Sequence, residues 1–204
     1  MIKFVKLECH GYSKAFHLLM TAALLWPWLP AHALAESEYP WALVAYGAIY
    51  TPDRLKDIFT HDHSYNDSYL AALALNREFA RTGESLAWEA EGQVVKHLEA
   101  QHHFEFNALL VARWHRFPWN EWLDTTLAVG EGVSWATETP RVEADDHSHT
   151  SQLLNYLLFE LTLATPQSRW YWSARIHHRS GAFGLYDGVR GGSNFVGMGM
   201  GYRF

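Results

Sequence analysis

Two side chains near the end of the chain have the types and the spacing of a nucleophile and its general base. His178 and Ser180 lie two residues apart in a segment of alternating character, residues 169–180. On a β-strand both would point the same way, with Cβ atoms roughly 6–7 Å apart at a rise of about 3.3 Å per residue. Because a serine hydroxyl is a weak nucleophile at its own pKa, it needs a base such as imidazole to take its proton. The pair therefore predicts nucleophilic catalysis by a serine with a histidine as its general base.

The parity of this segment indicates what the pair could meet. The residues that share the parity of His178 and Ser180 are mostly apolar: Trp170, Trp172, Ala174 and Ile176. The opposite parity carries mostly polar and charged side chains: Tyr171, Ser173, Arg175, His177 and Arg179. If the apolar parity faces lipid, the pair lies where the strand leaves the hydrocarbon, and its substrate would be a lipid. The alternative is structural, since polar residues are common where a barrel strand leaves the membrane.

Alternation of this kind recurs along the chain and predicts the strands that would position the pair. Segments of about ten alternating residues, separated by turn residues, are typical of membrane β-barrels. Eight of them are present: residues 41–51, 69–80, 86–95, 103–114, 123–136, 152–164, 169–180 and 193–204. Connections are long after the first, fifth and seventh segments and short after the second, fourth and sixth, with the third a fairly short exception. The pattern predicts an all-β fold, an eight-stranded antiparallel transmembrane β-barrel of the outer-membrane type with odd-numbered strands running outward.

Charged side chains fall on the parity opposite to the apolar one, and this favours a membrane barrel. A soluble barrel of the lipocalin type, the structural alternative, would bury its apolar side chains inside. Six charged residues are predicted to face inward and to form a buried ion-pair plug: Glu89, Glu91, Glu105, Glu160, Arg113 and Arg175. A small pore is disfavoured, because side chains about fill the interior of an eight-stranded barrel.

The last segment has the most regular alternation. Counting back from the end, aromatic and apolar residues occupy every second position: Phe204, Tyr202, Met200, Met198 and Val196. A terminal phenylalanine with this pattern resembles the signal read by the outer-membrane assembly machinery, which we therefore expect as a partner. The intervening Gly197, Gly199 and Gly201 would leave room in the interior.

The N-terminus predicts export. Lys3, Lys6 and Lys14 precede an apolar run at residues 15–30, and Ala33-Leu34-Ala35 has the small-residue pattern of a signal-peptidase site. We expect residues 1–35 to be a signal peptide and residues 36–204 to form a single barrel domain. The one cysteine, Cys9, lies in the leader, and no later stretch is long and apolar enough for a membrane helix. The formal net charge of −6 argues against nucleic acid as a partner.

The residues around the pair resemble those of a known family. The segment from Arg175 to Gly181, the glycine-containing loop after it and a last strand ending in Phe204 look like the PagL-type lipid A 3-O-deacylases. The segment Gly130-Glu131-Gly132-Val133-Ser134 is also similar to that family. The resemblance implies an esterase of the bacterial outer membrane that removes the ester-linked acyl chain at the 3-position of lipid A. Lipopolysaccharide would be its partner, and neither a metal nor another cofactor is predicted.

Carried over residue by residue, the resemblance makes Ser180 the nucleophile and His178 the base. The family motif continues with asparagine where this chain has Gly181, so the backbone N–H groups of Gly181, Ala182 and Gly184 are expected to form the oxyanion hole. The loss of one oxyanion donor can cost ~10²–10³ in rate. The family triad ends with a glutamate early in the last strand. Asn194 has that position here and can orient a histidine, and Asp187 in the preceding loop is the alternative.

Other polar groups are given structural interpretations. Gly130 and Gly132 predict a β-bulge that would turn Glu131 inward. His61-Asp62-His63 and residues 145–149 have metal-ligand types, but they are expected in solvated loops. The competing function is a non-catalytic barrel that binds lipopolysaccharide or has a structural role, and the departures at Gly181 and Asn194 favour it.

Overall fold

Alternating side chains form the eight strands that the sequence predicts. The computed structural model describes residues 38–59, 64–146 and 149–204, and these form a closed antiparallel barrel in which each strand pairs with the next and the eighth pairs with the first. The strands are β1 (Trp41–Thr51), β2 (Asn66–Thr82), β3 (Leu86–Glu99), β4 (Phe104–Trp114), β5 (Asp124–Ala136), β6 (Leu153–Ala164), β7 (Trp170–Ser180) and β8 (Gly192–Arg203). The predicted fold class is confirmed. The predicted signal peptide and residues 61–63 lie outside the described residues.

The distribution of apolar side chains is that of a membrane barrel. Along β4, Phe106 is 43 % exposed while its neighbour Asn107 is 4 % exposed, and the other strands alternate in the same sense. The outward face carries large exposed apolar side chains: Leu73, Val94, Phe104, Leu110, Leu127, Val129, Trp135, Leu161, Trp170 and Trp172. A soluble barrel would reverse this distribution, so the lipocalin-type alternative is wrong. Within the described residues, no helix has the length and the hydropathy to cross a membrane.

Ion pairs fill the lumen as predicted. The Arg113 guanidinium lies 2.7 Å from both Glu89 and Glu160. Arg175 lies 2.9 Å from Glu91 and 2.8 Å from Glu160, so Glu160 bridges the two arginines. Buried charges of this kind are tolerated because each has both a charged partner and hydrogen bonds.

Glu105, the remaining member of the predicted plug, belongs to a second polar cluster. Its carboxylate lies 2.8 Å from His97 Nε2 and 2.9 Å from His177 Nε2. This cluster lies nearer the end of the barrel at which β1, β3, β5 and β7 finish, here called the outer end. A short helix, α1 (Arg141–Asp146), follows β5 at this end, and its Val142 and Glu143 are buried.

The glycines of β8 allow close packing rather than empty space. A Cβ at Gly199 would lie 2.1 Å from the Ala45 carbonyl oxygen, and one at Gly201 would lie 2.1 Å from Tyr171 Cζ. The predicted interior room is therefore occupied by the Tyr171 ring and by the closely approaching β1 backbone.

The predicted bulge around Glu131 is wrong. β5 pairs regularly with β4 and with β6 through this region, and Glu131 is exposed on the outward face. The glycines have a different cause: a Cβ at Gly132 would lie 2.0 Å from the Ala108 carbonyl oxygen. Close approach of β4 requires the glycine, and no extra residue is inserted.

Candidate active site

The β7–β8 register brings His178 beside Asn194, as the parity of the two strands predicts. The two residues are direct partners in the ladder, and His178 Nδ1 lies 2.6 Å from Asn194 Oδ1. The other end of the amide is also engaged, because Asn194 Nδ2 donates to the Asp53 carbonyl oxygen over 2.8 Å. Asn194 is buried although its parity is outward, and it is therefore held from both sides.

This chain of hydrogen bonds sets the tautomer of His178. A backbone carbonyl can only accept, so the NH₂ group of Asn194 must face Asp53 and its oxygen must face the imidazole. Nδ1 of His178 must then carry the hydrogen and donate it. The second ring nitrogen, Nε2, is left with a lone pair, which is the state that a general base requires.

Ser180 lies on the same outward face as His178, two residues nearer the outer end. It pairs with Gly192 of β8, where a Cβ would lie 1.8 Å from the Arg179 carbonyl oxygen and 2.8 Å from Ser180 Cα. The glycine thus lets β8 pass close to the serine. Among the described residues no hydrogen bond joins Ser180 Oγ to His178, and such bonds are commonly long in an enzyme without substrate.

In the loop after β7, two of the three N–H groups predicted as oxyanion donors already donate to backbone carbonyl oxygens. Gly181 N–H donates to the Gly191 carbonyl oxygen and Gly184 N–H donates to the Gly181 carbonyl oxygen, each over 3.0 Å. Ala182 has a positive φ of 45°, and its N–H is in no backbone hydrogen bond within the described chain. Of the three, Ala182 is the one whose N–H is available to a ligand.

Asp187, the alternative partner for His178, lies with another residue. Its carboxylate is 3.6 Å from His149 Nε2, and both side chains are mostly exposed. In the described part of the chain it makes no contact with His178, whose Nδ1 is occupied by Asn194.

Asn155 is a site residue that the sequence analysis missed. β6 pairs Asn155 directly with Ser180, and partners in an antiparallel ladder share a face with Cβ atoms about 4.5–5.5 Å apart. Asn155 is 6 % exposed, and its amide has no hydrogen bond to any other described residue. A primary amide that is in no other hydrogen bond within the described chain therefore lies beside Ser180 on the neighbouring strand. The available signal was an asparagine on the apolar parity of β6, between Leu153 and Leu157.

A shallow apolar groove crosses the outward surface of β7, β8, β1, β2 and β3 on the inner side of this region. It has a volume of about 750 Å³, and small residues form part of its floor: Ala45, Gly47 and Ala71. Trp172 and Met198 flank it. Met198 is four residues from Asn194 on the same face, or about 13 Å along the strand. The polar cluster of His178, Ser180, Asn194 and Asn155, here called the rim site, is therefore separated from the groove by about four residues of β8 and lies on the outer side of it.

The rim site offers one imidazole, one hydroxyl and two amides. This set suits acyl transfer, because it contains a nucleophile, an oriented base and a hydrogen-bond donor. It does not suit a metal, which would need further imidazole or carboxylate ligands.

Comparison with known proteins supports the fold. No family model matches the chain, and no curated protein matches it. Among solved structures it is similar to the outer membrane enzyme PagL, with a TM-score of 0.55 and 15% sequence identity over 78% of this chain and 97% of that one. It is also similar to Neisserial surface protein A (NspA), with a TM-score of 0.49 and 10% identity over 80% of this chain and 96% of that one. At these identities the likeness to PagL concerns the fold. With its apolar outward face, the chain is an eight-stranded β-barrel of the outer membrane.

Proposed function

We propose that the protein is an outer-membrane esterase that hydrolyses an ester-linked acyl chain of lipid A in lipopolysaccharide. The observation that carries the proposal is the hydrogen-bond chain from Asp53 through Asn194 to His178. It leaves a basic nitrogen two residues from Ser180 on a surface that faces the outer leaflet. The resemblance of the segment around Ser180 to the PagL-type deacylases supports lipid A as the substrate, and the similarity of the fold to the outer membrane enzyme PagL is consistent with it.

The reaction follows from these groups. His178 Nε2 takes the Ser180 proton as Oγ attacks the ester carbonyl. The Asn194 oxygen accepts a hydrogen bond from Nδ1–H of the resulting imidazolium. The bond between the acyl carbon and the sugar oxygen then breaks, and the imidazolium gives its proton to that oxygen, which leaves as a hydroxyl group. Water next attacks the acyl-serine with His178 again as base, which releases a fatty acid and restores Ser180.

Charge on the carbonyl oxygen must be stabilised by donors that are free to point at it. Among the described residues near Ser180, the Asn155 amide and the Ala182 N–H are in no other hydrogen bond, and we assign them this role. Each such donor can contribute ~10²–10³ in rate. Asn194 is neutral and stabilises an imidazolium less than a carboxylate would, so we expect slower turnover than a site with a complete acid–base–nucleophile triad.

The apolar groove gives the acyl chain a place to lie. It crosses β7, β8, β1, β2 and β3 on the inner side of the rim site, and Met198 is its residue on β8 nearest to Asn194. An acyl chain whose ester carbonyl lies at Ser180 would reach the groove with its far methylene groups, about 13 Å along the strand. The selectivity of the enzyme for an acyl chain of lipid A would then arise from contact along the barrel wall rather than from an enclosed pocket.

The decisive experiment compares lipid A from cells that express the wild type, Ser180→Ala or Ser64→Ala. Ser64 is an exposed serine in the loop between β1 and β2, so it controls for the chemical change at the same side of the membrane. We expect mass spectrometry to show the loss of one acyl chain with the wild type and Ser64→Ala, but not with Ser180→Ala. Identical lipid A in all three would overturn the proposal.

The second candidate function is a non-catalytic barrel that binds lipopolysaccharide. The absence of a Ser180–His178 hydrogen bond within the described residues, and an amide in place of an acid at Asn194, favour it. Purified protein that retains lipopolysaccharide through size exclusion but releases no fatty acid from it would support this candidate. Fatty acid release that depends on Ser180 would exclude it.

A further inference from the structure

Three potential metal ligands lie together in the outer half of the lumen, away from the rim site. They are His97 near the end of β3, His103 just before β4 and Glu105 within β4. Their donor atoms lie within 4.8 Å of one another, and their side chains are 1 %, 3 % and 0 % exposed. The β3–β4 hairpin creates this proximity, because His97 N–H donates to the His103 carbonyl oxygen over 3.1 Å.

One ligand atom, in the imidazole of His103, has neither a hydrogen bond nor an ion pair within the described residues. His103 Nε2 is fully buried and has no hydrogen-bond partner among the described residues. Its ring stacks on that of His97 with centroids 4.3 Å apart. A buried polar atom without a partner destabilises the folded state. A cation bound between the two rings and the carboxylate would satisfy His103 Nε2.

Gln101 gives His97 the partner that a metal-bound histidine usually has. The side-chain amide of Gln101 lies 2.9 Å from His97 Nδ1, and Gln101 Oε1 is buried without a partner in the described chain. Exchange of the amide oxygen and nitrogen would let Oε1 accept a hydrogen bond from Nδ1–H. His97 Nε2 would then hold a lone pair, as metal ligation requires.

The Glu105 carboxylate also contacts a further histidine on the side away from His97. Glu105 Oε2 faces His97 Nε2 at 2.8 Å, while Oε1 lies 2.9 Å from His177 Nε2. His177 is fixed in turn by the hydroxyl groups of Tyr46 and Tyr156, each 3.1 Å from its Nδ1. A metal on Oε2 would leave the contact of Oε1 with His177 intact. Outer partners of this kind orient metal ligands and tune their affinity.

The surrounding charge favours a divalent cation. Two carboxylates, Glu105 and Glu143, face a single guanidinium, that of Arg179, at 4.0 and 3.4 Å. Before the histidines are counted, the cluster therefore carries a net charge of one negative unit. Two imidazoles with one carboxylate suit zinc and its neighbours among the transition metals, whereas calcium and magnesium prefer oxygen ligands alone.

We propose that the lumen of this barrel binds a transition-metal ion of the Zn²⁺ class through His97, His103 and Glu105. The ion would tie β3 to β4 at the outer end of their hairpin. Because the two rings are within 21° of parallel, binding requires the His103 ring to tilt so that its lone pair converges with that of His97.

The test measures metal bound by the protein purified in detergent without a histidine tag. After chelation and dialysis the barrel is titrated with Zn²⁺, and with Co²⁺ as a spectroscopic probe. We expect one ion per barrel and a cobalt spectrum of nitrogen and oxygen ligands in a four-coordinate geometry. The variant His103→Gln should lose the site, and Gln101→Ala should weaken binding by roughly 10–100-fold.

His115→Gln is the matched control. His115 Nε2 is also buried without a partner among the described residues, but it lies at the opposite end of β4, outside the ligand cluster. It should bind metal like the wild type. Folding of every variant is checked by the heat-dependent shift in gel mobility that folded barrels show. A folded wild type that takes up no Zn²⁺, Co²⁺, Ni²⁺ or Cu²⁺ would overturn the proposal, as would folded His103→Gln that binds with unchanged affinity.

Discussion

At the scale of single residues, two amides define the rim site. Asn194 fixes the tautomer of His178 because it is itself fixed by the Asp53 carbonyl. Asn155 stands opposite Ser180 on the neighbouring strand. Neither amide can transfer a proton, so under the proposed function the acid–base chemistry rests on His178 alone and the amides orient and stabilise.

Replacement of Asn155 by leucine tests its role as an oxyanion donor. We expect kcat for release of fatty acid from lipid A to fall by ~10²–10³ with little change in KM, because the donor acts on charge that develops in the transition state. Asn66→Leu, the same change at an exposed position where β2 begins, should leave both constants unchanged. A change in KM alone would assign Asn155 to substrate binding instead.

His115, just beyond the inner end of β4, gives the folded barrel a pH-dependent stability. Burial, with a smaller contribution from Arg113, lowers the pKa of His115 to about 3 from its ordinary value of 6.5. The unfolded chain therefore binds a proton at this histidine between pH 6.5 and about 3, while the folded barrel does not. The free energy of unfolding, as far as His115 determines it, is therefore highest above pH 6.5 and falls as the pH decreases toward 3.

The measurement is the free energy of unfolding in urea at several pH values between 7 and about 4. The wild type should lose more stability over this range than His115→Gln, which has no proton to bind. Equal losses would show that His115 does not contribute.

At the scale of strands, alternation predicts the elements and their faces but not every neighbour. It gives the outward parity of His178, Ser180 and Asn194, and counting back from Phe204 places Asn194 beside His178. Alternation does not predict that Asn155 lies beside Ser180. Parity fixes the face of each side chain, whereas the register between β6 and β7 depends on packing along the whole length of the two strands. The prediction of a bulge at Glu131 was wrong for a related reason. Gly132 is needed because the backbone of β4 passes close to it at Ala108, 24 residues earlier in the chain.

The strands also share the ion-pair network of the lumen, which Glu160 of β6 joins to β4 and β7. Glu160→Gln removes the charge that Arg113 and Arg175 share. Breaking a buried pair in this way costs about 3–5 kcal/mol. Unfolding of the detergent-solubilised barrel in urea measures it.

Glu131→Gln is the matched control for Glu160→Gln, since Glu131 lies exposed on the outward face of β5. It should not lower the free energy of unfolding. Equal destabilisation by the two substitutions would contradict the central place of Glu160 in the network.

At the scale of the whole molecule, closure of the barrel depends on its two ends. Trp41 and Phe204 exchange backbone hydrogen bonds of 3.1 and 2.8 Å, which complete the pairing of β1 with β8. The Phe204 side chain is exposed on the outside and takes little part in this closure. We propose that it serves recognition by the assembly machinery, while the leader at residues 1–35 stays a prediction.

Phe204→Ala should therefore lower the amount of barrel found in the outer membrane of cells, whereas refolding of the purified chain into detergent should proceed as for the wild type. Trp170→Ala, a change of another exposed aromatic at the same end, should have a smaller effect on the amount in the membrane. Loss of refolding by Phe204→Ala would assign the side chain to stability instead.

The outward orientation of His178, Ser180 and Asn155 has a kinetic consequence. A substrate of the rim site arrives by lateral diffusion within a two-dimensional leaflet, and the concentration that counts is its mole fraction in that leaflet. In detergent micelles, added detergent would dilute the substrate on the surface although its bulk molarity stays constant. The rate of an enzyme built in this way should fall with the ratio of detergent to lipid, and it should be unaffected when both are diluted together in buffer.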